Sequence, residues 1–186
     1  MNMPLLPIVR IGDPVLRCTA SPVIDPAAPE IRALAEAMME TMVAAPGVGL
    51  AAPQVGRPLR LIVMRIMQSR AAASEPVRMT ALVNPEFEPL GPELEDGWEG
   101  CLSVPELRGV VPRHRRIGYR GWLTDGTRVE DEAEGFQARI LQHEIDHLDG
   151  VIYLDRMTNL ATLGYGPEVA AAANPSAANP STSGAL

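Results

Sequence analysis

The chain has 186 residues, 46% of them hydrophobic and 21% charged, with a formal net charge of −7 and a mean hydropathy of +0.03. That is long enough for one domain with a real core and short for two, and the balance excludes a disordered or fibrous chain. The negative charge provides no general field attractive to nucleic acid or to an anionic membrane.

All sixteen basic residues are arginine, which together with abundant Ala, Pro and Gly reads as the imprint of a GC-rich genome. Arg113, Arg115 and Arg116 cluster around His114 and are expected on a solvated strand or turn. Two cysteines, Cys18 and Cys101, do not make a disulfide framework and fit a reducing compartment. The N-terminal segment lacks a basic region followed by an uninterrupted apolar one, and no apolar run is long enough to span a bilayer, so neither export nor membrane insertion is expected.

In chain order, residues 4–24 mix Pro with short apolar runs and read as extended entry structure. Ile31, Leu34, Ala35, Met38 and Met42 then fall at helical spacing. Asp25-Pro26 offers an N-cap and a first-turn Pro, and Pro46 or Gly47 ends the pattern, so the spacing predicts an amphipathic helix over 26–45. Its methionines are read as core filler. Strands are expected at 59–66 and 80–90, separated by a small-residue surface loop at 68–76. Further strands are expected at 101–104, 109–112, 115–124 and 127–134, with Asp125-Gly126 as the last hairpin turn. A second helix is expected over 136–148, stopped by Gly150. After Met157 the composition decays into Ala, Asn, Pro, Ser and Gly, and 166–186 reads as mostly disordered with one short helical turn at 168–173. A helix, a set of antiparallel strands and a helix make an α+β domain.

The segment His143-Glu144-Ile145-Asp146-His147 carries the chemistry. On a helix, residues i and i+4 share a face, so two imidazoles can reach one metal with a carboxylate beside them. A metal so held lowers the pKa of water towards roughly 7, and the carboxylate carries the proton. Phe136 and Ile140 lie on the same stripe as the histidines, which argues that this face is buried. A third histidine six residues beyond the pair would have to stand where the chain has Tyr153, so that protease pattern fails. Glu168 stands at the distance of a thermolysin-like ligand, but among Gly, Pro and Ala it is poorly set for a long helix. Cys101, in Glu99-Gly100-Cys101-Leu102-Ser103, supplies an upstream thiolate candidate; alone it would read as a small buried hydrophobe, as Cys18 does.

Three blocks together resemble the peptide deformylase family: Gly47-Val48-Gly49-Leu50-Ala51-Ala52-Pro53-Gln54, Glu99-Gly100-Cys101-Leu102-Ser103, and His143-Glu144-Ile145-Asp146-His147-Leu148-Asp149-Gly150. The resemblance runs from about Ile8 to Met157, and Trp98 and the run Pro105-Glu106-Leu107-Arg108 look closest to its organelle-type branch. It implies antiparallel sheets packed around a central metal-binding helix with an N-terminal amphipathic helix; the domain is expected over 1–163, and the composition makes 164–186 a low-complexity, disordered tail. It implies that Cys101, His143 and His147 bind one divalent ion, usually Fe2+, with Ni2+, Co2+ or Zn2+ able to substitute. Activated water would attack a formyl carbon, with Glu144 moving the proton and the Gln54 amide and Leu102 N–H meeting the oxyanion. The peptide would lie along Val48, Gly49, Gly100 and Arg108, its methionine in a pocket from Val48, Phe136 and Ile140. Arg113 is the implied partner of Asp146.

The substrate so implied is an N-formylmethionyl peptide met near the ribosome in a bacterial cytoplasm. Two other readings are a metal-holding but non-catalytic binding module, which loss of Glu144 or Gln54 would mark, and an HExxH peptidase. Both marker residues are present.

Overall fold

The computed structural model describes residues 5–66 and 78–173; the surface loop expected at 68–76 and the end of the tail lie outside them. Helix α1 runs Pro29–Ala44 and is followed by strands β1 (Gly49–Ala51), β2 (Leu61–Ile66), β3 (Arg78–Pro89), β4 (Leu94–Cys101), β5 (Val104–His114), β6 (Arg116–Trp122) and β7 (Arg128–Glu134). Helix α2 (Gly135–Leu148), the short helix α3 (Tyr153–Arg156), the two-residue strand β8 (Gly164–Tyr165) and helix α4 (Gly166–Ala173) complete the chain. One sheet has the order β1-β2-β3-β6-β7, the other β4-β5-β8, and every pairing in them is antiparallel. No helix among the described residues is long and apolar enough to cross a membrane.

The five-stranded sheet is covered on both faces, and the two-residue period of β2 shows how. Leu61 and Val63 point into the cluster formed with Ile31, Ala35, Met38 and Met42 of α1. Ile62 and Met64 point into the cluster formed with Leu141, Ile145 and Leu148 of α2. The run LIVM is therefore apolar throughout because it is buried on both sides. Met38 and Met42 are fully buried, as core filler should be, and each contributes on the order of 1.5–3 kcal/mol. Helix α2 lies between the two sheets, and its eleven residues from Ala138 to Leu148 are all buried.

Several boundaries differ from the expectation. Helix α1 starts at Pro29 with Ala28 as N-cap, because the Asp25 carboxylate is spent on the N–H of Ala27 in the turn before it. The strand expected at 101–104 is instead the tight turn at Leu102-Ser103 between two long strands, β4 and β5. Strand β4 was not expected at all. Residues 164–173 form β8, paired to Leu107 and Arg108, and α4, a longer helix than the single turn expected there.

Candidate metal centre

The geometry of α2 follows from its ends. It leaves β7 directly and stops before Gly150, whose φ of +74° suits glycine. A Cβ at Gly150 would also stand 2.8 Å from the backbone of Arg17. Within the helix His143 and His147 are one turn apart, with ring centroids at 5.0 Å. Cys101, at the last position of β4, brings its Sγ to 3.3 Å from His147 Nε2. One ligand atom from each of Cys101, His143 and His147 lies within 4.8 Å of the others, the one such group found among the described residues. Glu168 is exposed on α4 and has no part in it.

Each donor is oriented by its surroundings. His143 Nδ1 bonds Glu99 Oε2 at 2.8 Å, which leaves Nε2 for a ligand. His147 presents Nε2 to the sulfur. One cysteine sulfur and two imidazoles converging in a buried spot form a donor set that suits a single borderline divalent ion, so the residues fit a metal. Gln54, in the 3-10 turn Ala52–Val55 after β1, is buried. Its Oε1 accepts from Ala51 N–H at 2.8 Å, and its Nε2 donates to Cys101 Sγ at 3.3 Å and to Ser103 Oγ at 3.2 Å. Leu102 follows the sulfur in the chain, at the β4–β5 turn.

Glu144 is buried, and its Oε2 has no hydrogen-bond partner. Burial pushes its carboxyl up to about 7. A Cβ at Gly49 would overlap this carboxylate, so the glycine makes room for it.

Glu99 is the residue that sequence reasoning missed. Desolvation would raise its carboxyl, but hydrogen bonds from His143 and Arg113, with their charges, outweigh it and hold the group down at about 2. Arg113 donates Nε to Oε1 at 2.9 Å and Nη2 to Oε2 at 3.0 Å, and Arg139 of α2 adds Nη1 to Oε1 at 2.9 Å. Arg113 Nη1 also bonds Asp146 at 2.5 Å, so the expected pair is present. Asp146 takes two further bonds from Arg156. Of the basic cluster, Arg115 and Arg116 pair at the surface with Glu134 and Glu132, whereas Arg113 is buried, against the expectation of a solvated strand. Both cysteines are free, and Cys18 is exposed instead of being a small buried hydrophobe.

The peptide-binding candidates divide. Ile140 is 4% exposed and belongs to the core. Val48 is 41% and Phe136 50% exposed, so core packing does not explain these two apolar side chains. Both lie near the Met64–Arg65 end of β2, where Val48 C=O accepts from Arg65 N–H and Gln137 bonds Met64 Sδ. Gly49 is buried on the edge strand β1, while Gly100 and Arg108, paired across β4 and β5, are exposed. Tyr153, where a third histidine would have stood, is buried with its ring 6.2 Å from that of His143.

A family model for polypeptide deformylase matches residues 5–162. Peptide deformylase 1 of Bordetella pertussis is 52% identical over 159 residues, which is 85% of this chain and 90% of that protein. The crystal structure of peptide deformylase from Thermotoga maritima matches with a TM-score of 0.76 at 41% identity, covering 84% of this chain and all of that one (100%). The Met-Ala-Ser-bound class I type b peptide deformylase of Acinetobacter baumannii matches at 0.74 and 36%, covering 82% and 98%. With this fold and this Cys/His/His cluster, the chain belongs to the polypeptide deformylase family, hydrolases that use a single metal ion to remove the N-formyl group from nascent peptides.

Proposed function

We propose that Cys101, His143 and His147 hold the family's metal ion, Fe2+ in the cell, with Ni2+, Co2+ or Zn2+ able to substitute, and that Glu144, Gln54 and Leu102 perform the deformylation. The observation that carries this is the convergence of a thiol and two imidazoles within 4.8 Å in a buried spot on the helix that bears Glu144. When bound, the ion supplies Lewis acidity and brings the pKa of water down towards roughly 7.

The remaining chemistry belongs to the side chains. A carboxyl at about 7 is matched to taking a proton from water and returning it to the departing amine near neutral pH, which is the role of Glu144. Gln54 Nε2, fixed by the anchoring of its other end at Ala51, donates to the formyl oxygen as charge builds there, and the Leu102 N–H is the second donor. An extended peptide adds beside the edge strand β1 at Gly49 and the preceding Val48, and also meets Gly100 and Arg108. Val48 and Phe136 receive the methionine side chain, and Ile140, a core residue one turn along α2 from Phe136, backs them. The Acinetobacter relative, crystallised with a peptide that begins with methionine, supports this choice.

Residues 1–163 are taken as the catalytic domain and 164–186 as a tail, a division supported by the family match ending at 162. A bacterial cytoplasmic setting, with transient proximity to the ribosome, fits the bacterial relatives and the substrate.

Gln54→Ala is expected to lose about 10²–10³ in kcat, and Glu144→Ala at least as much, while metal analysis finds both variants loaded. Normal turnover by Gln54→Ala would overturn the oxyanion assignment.

A further inference from the structure

We infer that Arg139 is a positioning residue for the metal centre: it pins the strand bearing Glu99 and Cys101 to the helix bearing His143 and His147. The inference rests on the ligand assignment above. Arg139 stands one turn before His143 on the same face of α2, with its side chain 9% exposed. Its Nη1 donates to Glu99 Oε1 at 2.9 Å, to Val111 C=O at 2.7 Å and to Gly97 C=O at 3.4 Å, and its Nη2 donates to Glu95 C=O at 2.5 Å. Three of these acceptors are backbone groups of two neighbouring strands, and Gly97 and Val111 are direct partners across β4 and β5. The guanidinium thus fixes the height of the β4–β5 hairpin above α2.

Gly97 is cleared for this contact. A Cβ there would come within 2.7 Å of the guanidinium carbon. A planar fork of donors can hold several acceptors at once, which a lysine ammonium on a flexible stem reproduces poorly.

The effect reaches the ligands in two ways. Glu99 accepts four bonds, two on each oxygen, and Arg139 supplies one of them, so the carboxylate that orients His143 is locked. In addition, Cys101 comes from β4 while both histidines come from α2, so the spacing of the ligand atoms follows the spacing of strand and helix. Arg113 reaches Glu99 and Asp146 by side-chain bonds alone. Of the two arginines, Arg139 is the one that grips the backbones of both strands; Gln142 of the same helix reaches the β5 backbone only at its end, His114.

The test uses Co2+-loaded protein, whose near-ultraviolet thiolate-to-cobalt band and visible ligand-field bands report the ligand set. Absence of the thiolate band in the unsubstituted protein would defeat the ligand assignment itself. With that band present, Arg139→Met is expected to weaken Co2+ affinity about 10-fold or more in chelator competition, to alter the ligand-field bands, and to lower kcat with KM unchanged. Gly97→Val keeps every polar group and favours a strand, but its branches take the guanidinium's place, and it is expected to shift affinity and bands in the same direction. Arg139→Lys should fall between Arg139→Met and the unsubstituted protein. A purely structural arginine would change the melting temperature and leave the folded protein's affinity and bands alone. That result in Arg139→Met, or in Gly97→Val where Arg139→Met does not fold, overturns the inference.

Discussion

At Gly49 the space a Cβ would need is filled by the Glu144 carboxylate. The resemblance placed this glycine along the bound peptide; the structure adds a second demand, since Gly49 also fits against the carboxylate proposed to carry the proton. Gly49→Ala should therefore displace Glu144 and reduce kcat/KM by about 10²-fold, the cost of a misplacement on the order of 1 Å, with the melting curve little changed. Full activity in that variant would show that Glu144 has room to spare. The pair of histidines was legible in the sequence because helical spacing is local. Glu99 was not, because its partners Arg113, Arg139 and His143 stand 14, 40 and 44 residues away and only the fold assembles them.

Among the elements, α1 could be read from its helical periodicity and β2 from its continuous apolar run. Strand β4, Leu94–Cys101, could not. Its sequence LEDGWEGC is acidic, glycine-containing and mostly exposed, and it is held extended by pairing with β5 and not by any preference of its own. Helix α2 departs from the amphipathic pattern in the other direction. It is enclosed by both sheets, so its polar residues are buried and depend on internal partners. Gln142 illustrates this, its amide pairing with both backbone groups of His114 as a strand neighbour would. The charged seam between β5 and α2 should matter for stability. Arg113→Ala leaves Glu99 and Asp146 short of their shared cation and is expected to cost about 3–5 kcal/mol in urea unfolding. A loss no larger than the fraction of a kcal/mol typical of surface pairs such as Arg116–Glu132 would contradict this.

At the scale of the molecule, the site is made where three separate pieces meet: the turn after β1 with Gln54, the end of β4 with Cys101, and the C-terminal half of α2 with His143, Glu144 and His147. The three blocks that carry the family resemblance are these same pieces, which is why the activity could be read before the architecture. The α+β class was legible too, but the division into a five-stranded and a three-stranded sheet was not, because strand order depends on pairings between distant segments. On the proposed mechanism this assembly deformylates peptides through a metal ion and Glu144. That mechanism is tested most directly by measuring formate released from formyl-Met-Ala-Ser by protein prepared without oxygen and loaded with metal, alongside Glu144→Ala loaded in the same way. The unsubstituted protein should release one formate for each amine freed, and the variant almost none. Equal release from both, or release from neither, would contradict it.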